Sequence, residues 1–145
     1  METRTSSRIF IVEDEPIISR DLQIRLTRYG YEVCGIESDG RSALARIGEA
    51  RPDIILMDIN IEGDLDGIQV AGEVNLWWHI PVLFLTAYSD DETFERAKAV
   101  KPAGFIVKPF HDVLMRKTIE LALHKAKWDE SLLIQSQLNL TLSQV

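Results

Sequence analysis

The chain has very little cysteine and no long apolar run. Its single cysteine, Cys34, cannot form an internal disulfide, and its apolar-leaning surroundings predict a small buried hydrophobe rather than a reactive thiol. No N-terminal segment has the apolar core of a signal peptide, and no run approaches membrane-spanning length. We therefore expect a protein of the reducing cytoplasm that has no membrane partner.

Positive charge is also scarce. The chain has 16 lysine and arginine residues against 23 aspartate and glutamate residues, which gives a formal net charge of -7 over 145 residues. This balance argues against direct, nonspecific binding to nucleic acid or anionic lipid. The length is typical of one domain, which at this size buries roughly 68–70% of its unfolded surface and needs no disulfide or metal for stability.

Short apolar runs are the strongest structural pattern. Four of them span residues 9–12, 54–57, 82–85 and 105–107, and a weaker one spans 31–36. Continuous runs of this length are typical of parallel strands that are buried on both faces. Helical patterns lie between the runs, with starts at Pro16, near Gly40, at Gly67, in the run Ser89 to Glu92, and at His111-Asp112. Five β-α repeats with right-handed crossovers predict an α/β sandwich with helices on both faces of the sheet.

Polar residues stand at or just after the ends of the four strong runs: Asp14, Asp58, Thr86 and Lys108. Because the carboxyl ends of parallel strands line one crevice, we expect these side chains to converge. The two carboxylates repel each other unless a cation lies between them, and their oxygen atoms favour Mg²⁺. The other acids of the same segments are interpreted as solvated loop residues: Glu15, Glu62, Asp64 and Asp66.

Five short motifs carry a resemblance to a known family. In chain order they are Val12-Glu13-Asp14-Glu15, Leu56-Met57-Asp58, Asp66-Gly67, Leu85-Thr86-Ala87 and Val107-Lys108-Pro109-Phe110. In this order and spacing they resemble the receiver domain of two-component response regulators, which implies a flavodoxin-like fold of five parallel strands in the order 2-1-3-4-5. The resemblance covers residues 8–127 and leaves 128–145 as a C-terminal extension or tail.

The resemblance implies a phosphorylation site with Mg²⁺ as its cofactor. Asp58 would accept a phosphoryl group from a histidine kinase, a phosphotransfer protein or a small phosphodonor. Glu13 and Asp14 would form the acidic pair of the metal pocket, which Asp58 and the main-chain carbonyl of Asn60 would complete. A chain of this kind catalyses only its own phosphorylation and dephosphorylation and is not otherwise an enzyme.

Three further residues acquire roles through the resemblance. Thr86 corresponds to the switch hydroxyl, Lys108 to the lysine that pairs with the phosphoryl group, and Phe105 to the switch aromatic residue. Movement of Thr86 toward the phosphoryl group would leave space for the Phe105 ring, and the face of the fourth helix, fifth strand and fifth helix would change shape. Phe105 has no hydroxyl, so this change cannot depend on a tyrosine hydrogen bond.

Local sequence features add three expectations. The segment from Asp58 to Gly67 is one residue longer than the common family pattern and lacks its proline, which predicts a different loop course beside the metal. At the end of the third helix, one of Trp77 and Trp78 is expected to pack against the domain and the other to be exposed. Lys108-Pro109 is a candidate cis peptide bond.

Other functions remain open at this point. One is a phosphorylation-independent interaction module on the same fold. Another is a receiver segment at the N-terminal end of a hybrid kinase or multidomain regulator. A metal-dependent phosphohydrolase would need a second carboxylate where Asn60 stands. No glycine-rich loop follows the first run, which argues against dinucleotide, FMN and P-loop nucleotide binding.

The C-terminal segment is unusually apolar for a free tail. Leu121, Trp128 and Leu142 fall at heptad spacing with Leu114, although Gln135 interrupts the series, and the last leucines alternate as in a strand. We expect the fifth helix to continue past residue 127 and to meet another subunit or a following domain, a frayed end being the alternative. A homodimer could form through the fourth and fifth helices or through this extension.

Overall fold

Strands and helices alternate along the residues that this computed structural model describes, 6–87 and 90–143. The five strands are β1 Arg8–Val12, β2 Glu32–Glu37, β3 Ile54–Asp58, β4 Val82–Thr86 and β5 Gly104–Val107. The five helices are α1 Pro16–Arg28, α2 Gly40–Ala50, α3 Gly67–Trp77, α4 Asp91–Ala99 and α5 Asp112–Ser143. The strands form one parallel sheet in the order β2-β1-β3-β4-β5, which confirms the predicted flavodoxin-like fold.

The core consists of two apolar layers, one on each face of the sheet. Successive strand residues point to opposite faces, so each continuous run contributes to both layers. Phe10, Ile55 and Phe84 belong to the layer that also contains residues of α2, α3 and α4, whereas Ile11 and Leu56 belong to the layer that contains residues of α1 and α5. Burial on both faces explains why the runs show no alternation between apolar and polar residues.

A first-turn proline or an N-cap aspartate marks the start of α1 to α4. Pro16 occupies the first turn of α1, and the Asp39 carboxylate accepts a hydrogen bond from the Ser42 backbone N–H at 2.9 Å at the start of α2. Asp90 caps α4 by accepting from the Thr93 backbone N–H at 2.6 Å. Ser89, the first residue of the run that predicted the start of this helix, lies outside the described residues.

Several local expectations are confirmed. Trp78 packs against the core, whereas Trp77 is 66% exposed. Lys108-Pro109 is a cis peptide bond. The expectation for Cys34 is confirmed in part: it packs on the core but is partly exposed, and burial raises the pKa of its thiol, which disfavours the reactive thiolate. Among the described residues, no helix has both the length and the apolar character needed to cross a membrane.

Candidate functional site

One open pocket lies at the carboxyl edge of the sheet. Asp58 ends β3 beside Leu85, and Thr86 ends β4 beside Val107, so strand register alone brings the ends of three strands together. The four residues predicted to converge all line this pocket, together with Asn60 and Ala87. The pocket is therefore made by the strand ends and by the residues that immediately follow them.

Asp58 lies at the bottom of the pocket and is 6% exposed. Its Oδ1 atom accepts a hydrogen bond from the Asn60 backbone N–H at 3.0 Å, and its Oδ2 atom accepts one from Lys108 Nζ at 2.8 Å. The first bond fixes the rotation of the carboxylate, and the second supplies a neutralising charge. The carboxylate is thus oriented toward the pocket by contacts from two different loops.

Lys108 is positioned by the sheet as well as by its charge. Its backbone N–H donates to the Thr86 carbonyl at 2.8 Å, which continues the pairing of β4 and β5 by one residue. Burial alone would lower the pKa of its ammonium group, but the hydrogen bond and the charge of Asp58, with a further contribution from Glu13, raise the pKa above its ordinary value. Lys108 therefore remains charged in the pocket.

Glu13 is the most unusual carboxylate of the site. It is 2% exposed, and neither of its side-chain oxygen atoms has a hydrogen-bond partner among the described residues. Lys108 Nζ lies 3.7 Å from Glu13 Oε1, too far for a hydrogen bond. Burial, followed by the adjacent Asp58 carboxyl group, raises the pKa of Glu13 to about 8. A carboxyl group buried in this way becomes ionised at neutral pH when a cation is placed beside it.

The acidic residues fit a divalent cation. Glu13, Asp14 and Asp58 each offer a carboxylate oxygen, and the three oxygen atoms lie within 4.8 Å of one another. Hard oxygen ligands of this kind suit Mg²⁺, which binds through one or two carboxylates and retains several waters. Asn60 follows Asp58 by two residues and lines the same pocket.

The loop between β3 and α3 makes contacts on two sides. Gly67 lies so close to the backbone of Asp58 that a Cβ atom there would overlap the Asp58 carbonyl group, and its N–H donates to the Ile59 carbonyl at 2.8 Å. Glu62 forms a β-bridge with Asp39 near the start of α2. The loop is thus attached to α2 as well as to α3.

Two of the acids interpreted as solvated loop residues have specific partners. Asp64 pairs with Arg41 of α2 at 2.7 Å. Asp66 forms a capping box at the start of α3 with Gln69 and also pairs with Arg96 of α4 at 2.7 Å. The solvated interpretation is wrong for Asp66, which is partly buried and whose ion-pair partner lies on another helix, whereas the Asp64 side chain is 64% exposed, as predicted.

Phe105 lies outside the pocket, on the face of the sheet that α4 covers. Its ring centroid is 6.0 Å from that of Phe84 on β4 and 5.0 Å from that of Phe94 on α4. Lys98 Nζ lies 5.3 Å from the centre of the Phe94 ring. Sequence reasoning missed Phe94, although a lone aromatic residue in the otherwise polar segment 91–96 is a visible signal.

Comparison with known proteins gives a consistent result. The model of the response regulator receiver domain family matches residues 9–120. Transcriptional regulatory protein PdtaR of Mycobacterium tuberculosis is 35% identical over 118 residues, which cover 81% of this chain and 57% of that protein. Phyllosphere-induced regulator PhyR of Methylorubrum extorquens is 32% identical, over 81% of this chain and 44% of that protein. The chain thus spans about half the length of the curated relatives it matches.

Solved structures agree with this similarity. The signal receiver domain of a modulated diguanylate cyclase from Desulfovibrio desulfuricans G20 has a TM-score of 0.82 and 37% identity, covering 86% of this chain and 98% of that chain. A chemotaxis protein, CheY4, of Vibrio cholerae has a TM-score of 0.73 and 30% identity, covering 81% of this chain and 99% of that chain.

Proposed function

Because the chain belongs to the family of response regulator receiver domains of two-component signalling, we propose that it is a switch controlled by phosphorylation of Asp58. Receiver domains are generally signalling domains rather than enzymes. The observation that carries the proposal is the contact of the Asp58 carboxylate with one ammonium group at 2.8 Å, in a pocket that three carboxylates share. That arrangement orients a nucleophilic oxygen atom and places compensating charge beside it.

The chemistry joins two anions. An oxygen atom of Asp58 attacks the phosphorus of the donor, a P–O bond to Asp58 forms, and the bond from phosphorus to the donor breaks, with its electron pair leaving on the donor. Catalysis of such a transfer depends mainly on positioning and charge neutralisation. The Lys108 ammonium group, which contacts Asp58, can also pair with the oxygen atoms of the transferred phosphoryl group. Two opposite unit charges about 4 Å apart attract each other by roughly 4 kcal/mol at an effective dielectric of 20, which is an upper bound for this contribution.

Glu13, Asp14, Asp58 and the Asn60 carbonyl are the groups that would hold Mg²⁺, which when bound supplies the remaining positive charge for the transfer. Glu13 supports this assignment because it is buried without a hydrogen-bond donor, and a nearby cation favours its ionised form. Thr86 and Ala87 also line the pocket. The Thr86 hydroxyl can donate to a phosphoryl oxygen, and the small Ala87 side chain leaves room for the donor molecule.

Phosphorylation would be transmitted through Thr86 and Phe105. If the Thr86 hydroxyl moves toward the phosphoryl group, the half-buried Phe105 ring can move inward, and its contact with Phe94 on α4 changes. Conversion of a 1:99 mixture of two conformations to 99:1 needs about 5.5 kcal/mol of differential interaction, which a covalently bound dianion with its cation can provide. The surface formed by α4, β5 and α5 would then differ in shape between the phosphorylated and unphosphorylated forms of Asp58.

The partners we propose are a histidine kinase or phosphotransfer protein as phosphodonor, and a second copy of this chain. In support of the second partner, α5 continues without interruption to Ser143, well past the receiver boundary that we propose at residue 127. Leu121 is 71% exposed, Trp128 60% and Leu142 64%, at heptad spacing along the helix. An apolar helical stripe of this kind is typical of a surface that pairs with another helix.

Phosphorylation by a small acyl phosphate tests the proposed function. Incubation with acetyl phosphate and Mg²⁺ should add one phosphoryl group by intact-mass spectrometry, and EDTA or Asp58→Asn should abolish the addition. Asp64→Asn is a matched control, because Asp64 lies on the same loop but pairs with Arg41 on the surface. Equal labelling of wild type and Asp58→Asn would contradict the assignment, and absence of labelling in wild type would favour an interaction module.

A further inference from the structure

Few contacts hold α4 against the rest of the domain. Of its residues Asp91–Ala99, all of which the structure describes, Ala97 alone is buried. Phe94 adds the contact with Phe105 but remains 43% exposed. A helix with so little buried apolar surface is a candidate for local movement. Its position therefore depends strongly on the polar contacts that it makes with its neighbours.

Two polar contacts connect the α4 region to α3, one near each end of α3. Arg96 Nη2 donates to Asp66 Oδ2 at 2.7 Å at the start of α3. Beyond the C-terminal end of α4, the Asn75 side-chain amide of α3 donates to the Val100 carbonyl. The first contact lies next to the loop that carries the pocket, and the second lies at the distant end. Release of the first would let α4 pivot about the second.

Asp66 is held firmly in place relative to Asp58. Its Oδ1 atom accepts from the Gln69 N–H at 2.8 Å while the Gln69 side chain accepts from the Asp66 N–H at 2.8 Å. The next residue, Gly67, packs directly on the Asp58 carbonyl group. The carboxylate that Arg96 contacts is therefore fixed to the same backbone that positions the phosphorylation site.

We propose that the Arg96–Asp66 ion pair is a latch that holds α4 in its unphosphorylated position and thereby sets how readily the Asp58 site switches. This inference rests on the proposed function. Inward movement of Phe105 removes the packing partner of Phe94, and α4 can follow only if Arg96 releases Asp66. An interaction made in one conformation alone lowers the apparent affinity of any ligand that selects the other conformation.

The chain contains a matched control for this ion pair. Arg41 of α2 pairs with Asp64 at 2.7 Å, which is the same distance and the same pair of residue types, and Asp64 lies on the same loop as Asp66. Arg41 is on α2 and makes this contact without involving α4. Removal of the Arg41 pair should therefore disturb the loop without releasing α4.

Beryllofluoride, a phosphoryl mimic, provides the measurement. It is titrated with Mg²⁺ into the full chain of wild type, Arg96→Ala, Asp66→Asn, the double variant and Arg41→Ala, and binding is followed by amide NMR. Arg96→Ala should raise the affinity about two- to fivefold, the range that a partly exposed ion pair supports. Asp66→Asn should have the same effect, because asparagine also caps a helix, and the double variant should show no further gain. Arg41→Ala should bind as wild type does.

A second readout separates a latch from a merely structural contact. Without beryllofluoride, the amide signals of residues 104–107 in Arg96→Ala should already be displaced toward their positions in the bound wild type. Unchanged or weakened affinity in Arg96→Ala, or additive effects in the double variant, would overturn the latch. Failure of wild type to bind beryllofluoride would instead overturn the proposed function, and the latch with it.

Discussion

The ammonium nitrogen of Lys108 lies 2.8 Å from Oδ2 of Asp58, although fifty residues separate the two in the chain. The same nitrogen is 3.7 Å from Oε1 of Glu13, while Asp14 contributes a third carboxylate to the pocket. One ammonium group among three carboxylates leaves an excess of negative charge at the carboxyl edge of the sheet. The acidic residues that would bind a cation at this edge therefore destabilise the folded protein when no cation is bound.

Glu13→Gln should show this conflict between stability and function. The substitution keeps the size of the side chain, replaces a buried carboxyl group whose ionisation is disfavoured without a cation, and introduces an amide that can donate to Asp58. We expect the metal-free protein to gain about 1–2 kcal/mol of unfolding free energy, because a buried acceptor without a donor is costly. The variant should also gain less stability from Mg²⁺ than wild type does.

Urea unfolding with and without MgCl₂ measures both effects. Glu15→Gln is the control, since Glu15 is exposed at the rim of the pocket. A variant at position 13 that is less stable than wild type without Mg²⁺ would contradict this account of the pocket.

Phe105→Leu should separate phosphorylation from its structural consequence. Phe105 touches Phe84 and Phe94 but does not line the pocket, so labelling by acetyl phosphate should proceed at about the wild-type rate. The smaller side chain cannot reproduce the ring contact with α4. On addition of beryllofluoride, the amide shifts of residues 91–99 should fall to less than about half of the wild-type shifts. Wild-type shifts in this variant would exclude Phe105 as the link to α4.

Asp66 should make stability depend on pH. Burial alone would raise the pKa of Asp66, but Arg96 and the backbone N–H of Gln69 outweigh it and hold the pKa below its ordinary value. A carboxylate with a lowered pKa in the folded state stabilises the protein above its unfolded pKa of about 3.9, and this contribution disappears as the pH falls through the folded value. Because the pair is partly exposed, about 1 kcal/mol or less is involved.

The measurement is the difference in unfolding free energy between wild type and Asp66→Asn from pH 7 to pH 3. Asparagine preserves the helix cap, so the difference should be present at pH 7 and should shrink toward zero below about pH 4. In the Arg96→Ala background the difference should be smaller throughout. A free-energy difference that stays constant down to pH 3 would show that the charge of Asp66 does not contribute to the stability of the folded protein.

The extension of α5 should support self-association through one of its sides. Trp128 and Leu133 are each 60% exposed, but only Trp128 belongs to the heptad series with Leu121 and Leu142. Trp128→Glu should therefore convert a dimer into a monomer in sedimentation or light-scattering measurements, whereas Leu133→Glu should not. A wild-type mass equal to one chain would contradict the proposed dimer, and equal effects of both substitutions would contradict the proposed side.

The sequence predicted the fold and the convergence of the site for the same reason. Strands buried on both faces leave continuous apolar runs, and the residues after parallel strands must meet at one edge, so Asp14, Asp58, Thr86 and Lys108 could be grouped from the order of the residues alone. Their proposed chemical roles came from the family resemblance instead, because geometry alone does not distinguish a phosphoacceptor from any other buried carboxylate.

The contacts of α4 could not be predicted in this way. Arg96 and Asp66 are thirty residues apart, and their meeting depends on the course of the loop before α3, about which apolar periodicity carries no information. The alternation of Leu138, Leu140 and Leu142 was also misleading, because these residues continue α5 as a helix. In an exposed segment, a two-residue period need not reflect a sheet, since no buried face selects it.

Chemical mapping of the phosphoryl group tests the central claim most directly. Borohydride reduces an acyl phosphate on aspartate to homoserine, so the wild-type protein is treated with acetyl phosphate and Mg²⁺, reduced, digested and sequenced by tandem mass spectrometry. The account predicts homoserine at position 58 alone, with aspartate unchanged at position 14 and no reduced residue when EDTA is present. Reduction at position 14 with Asp58 intact, or a phosphoryl group that resists borohydride, would contradict it.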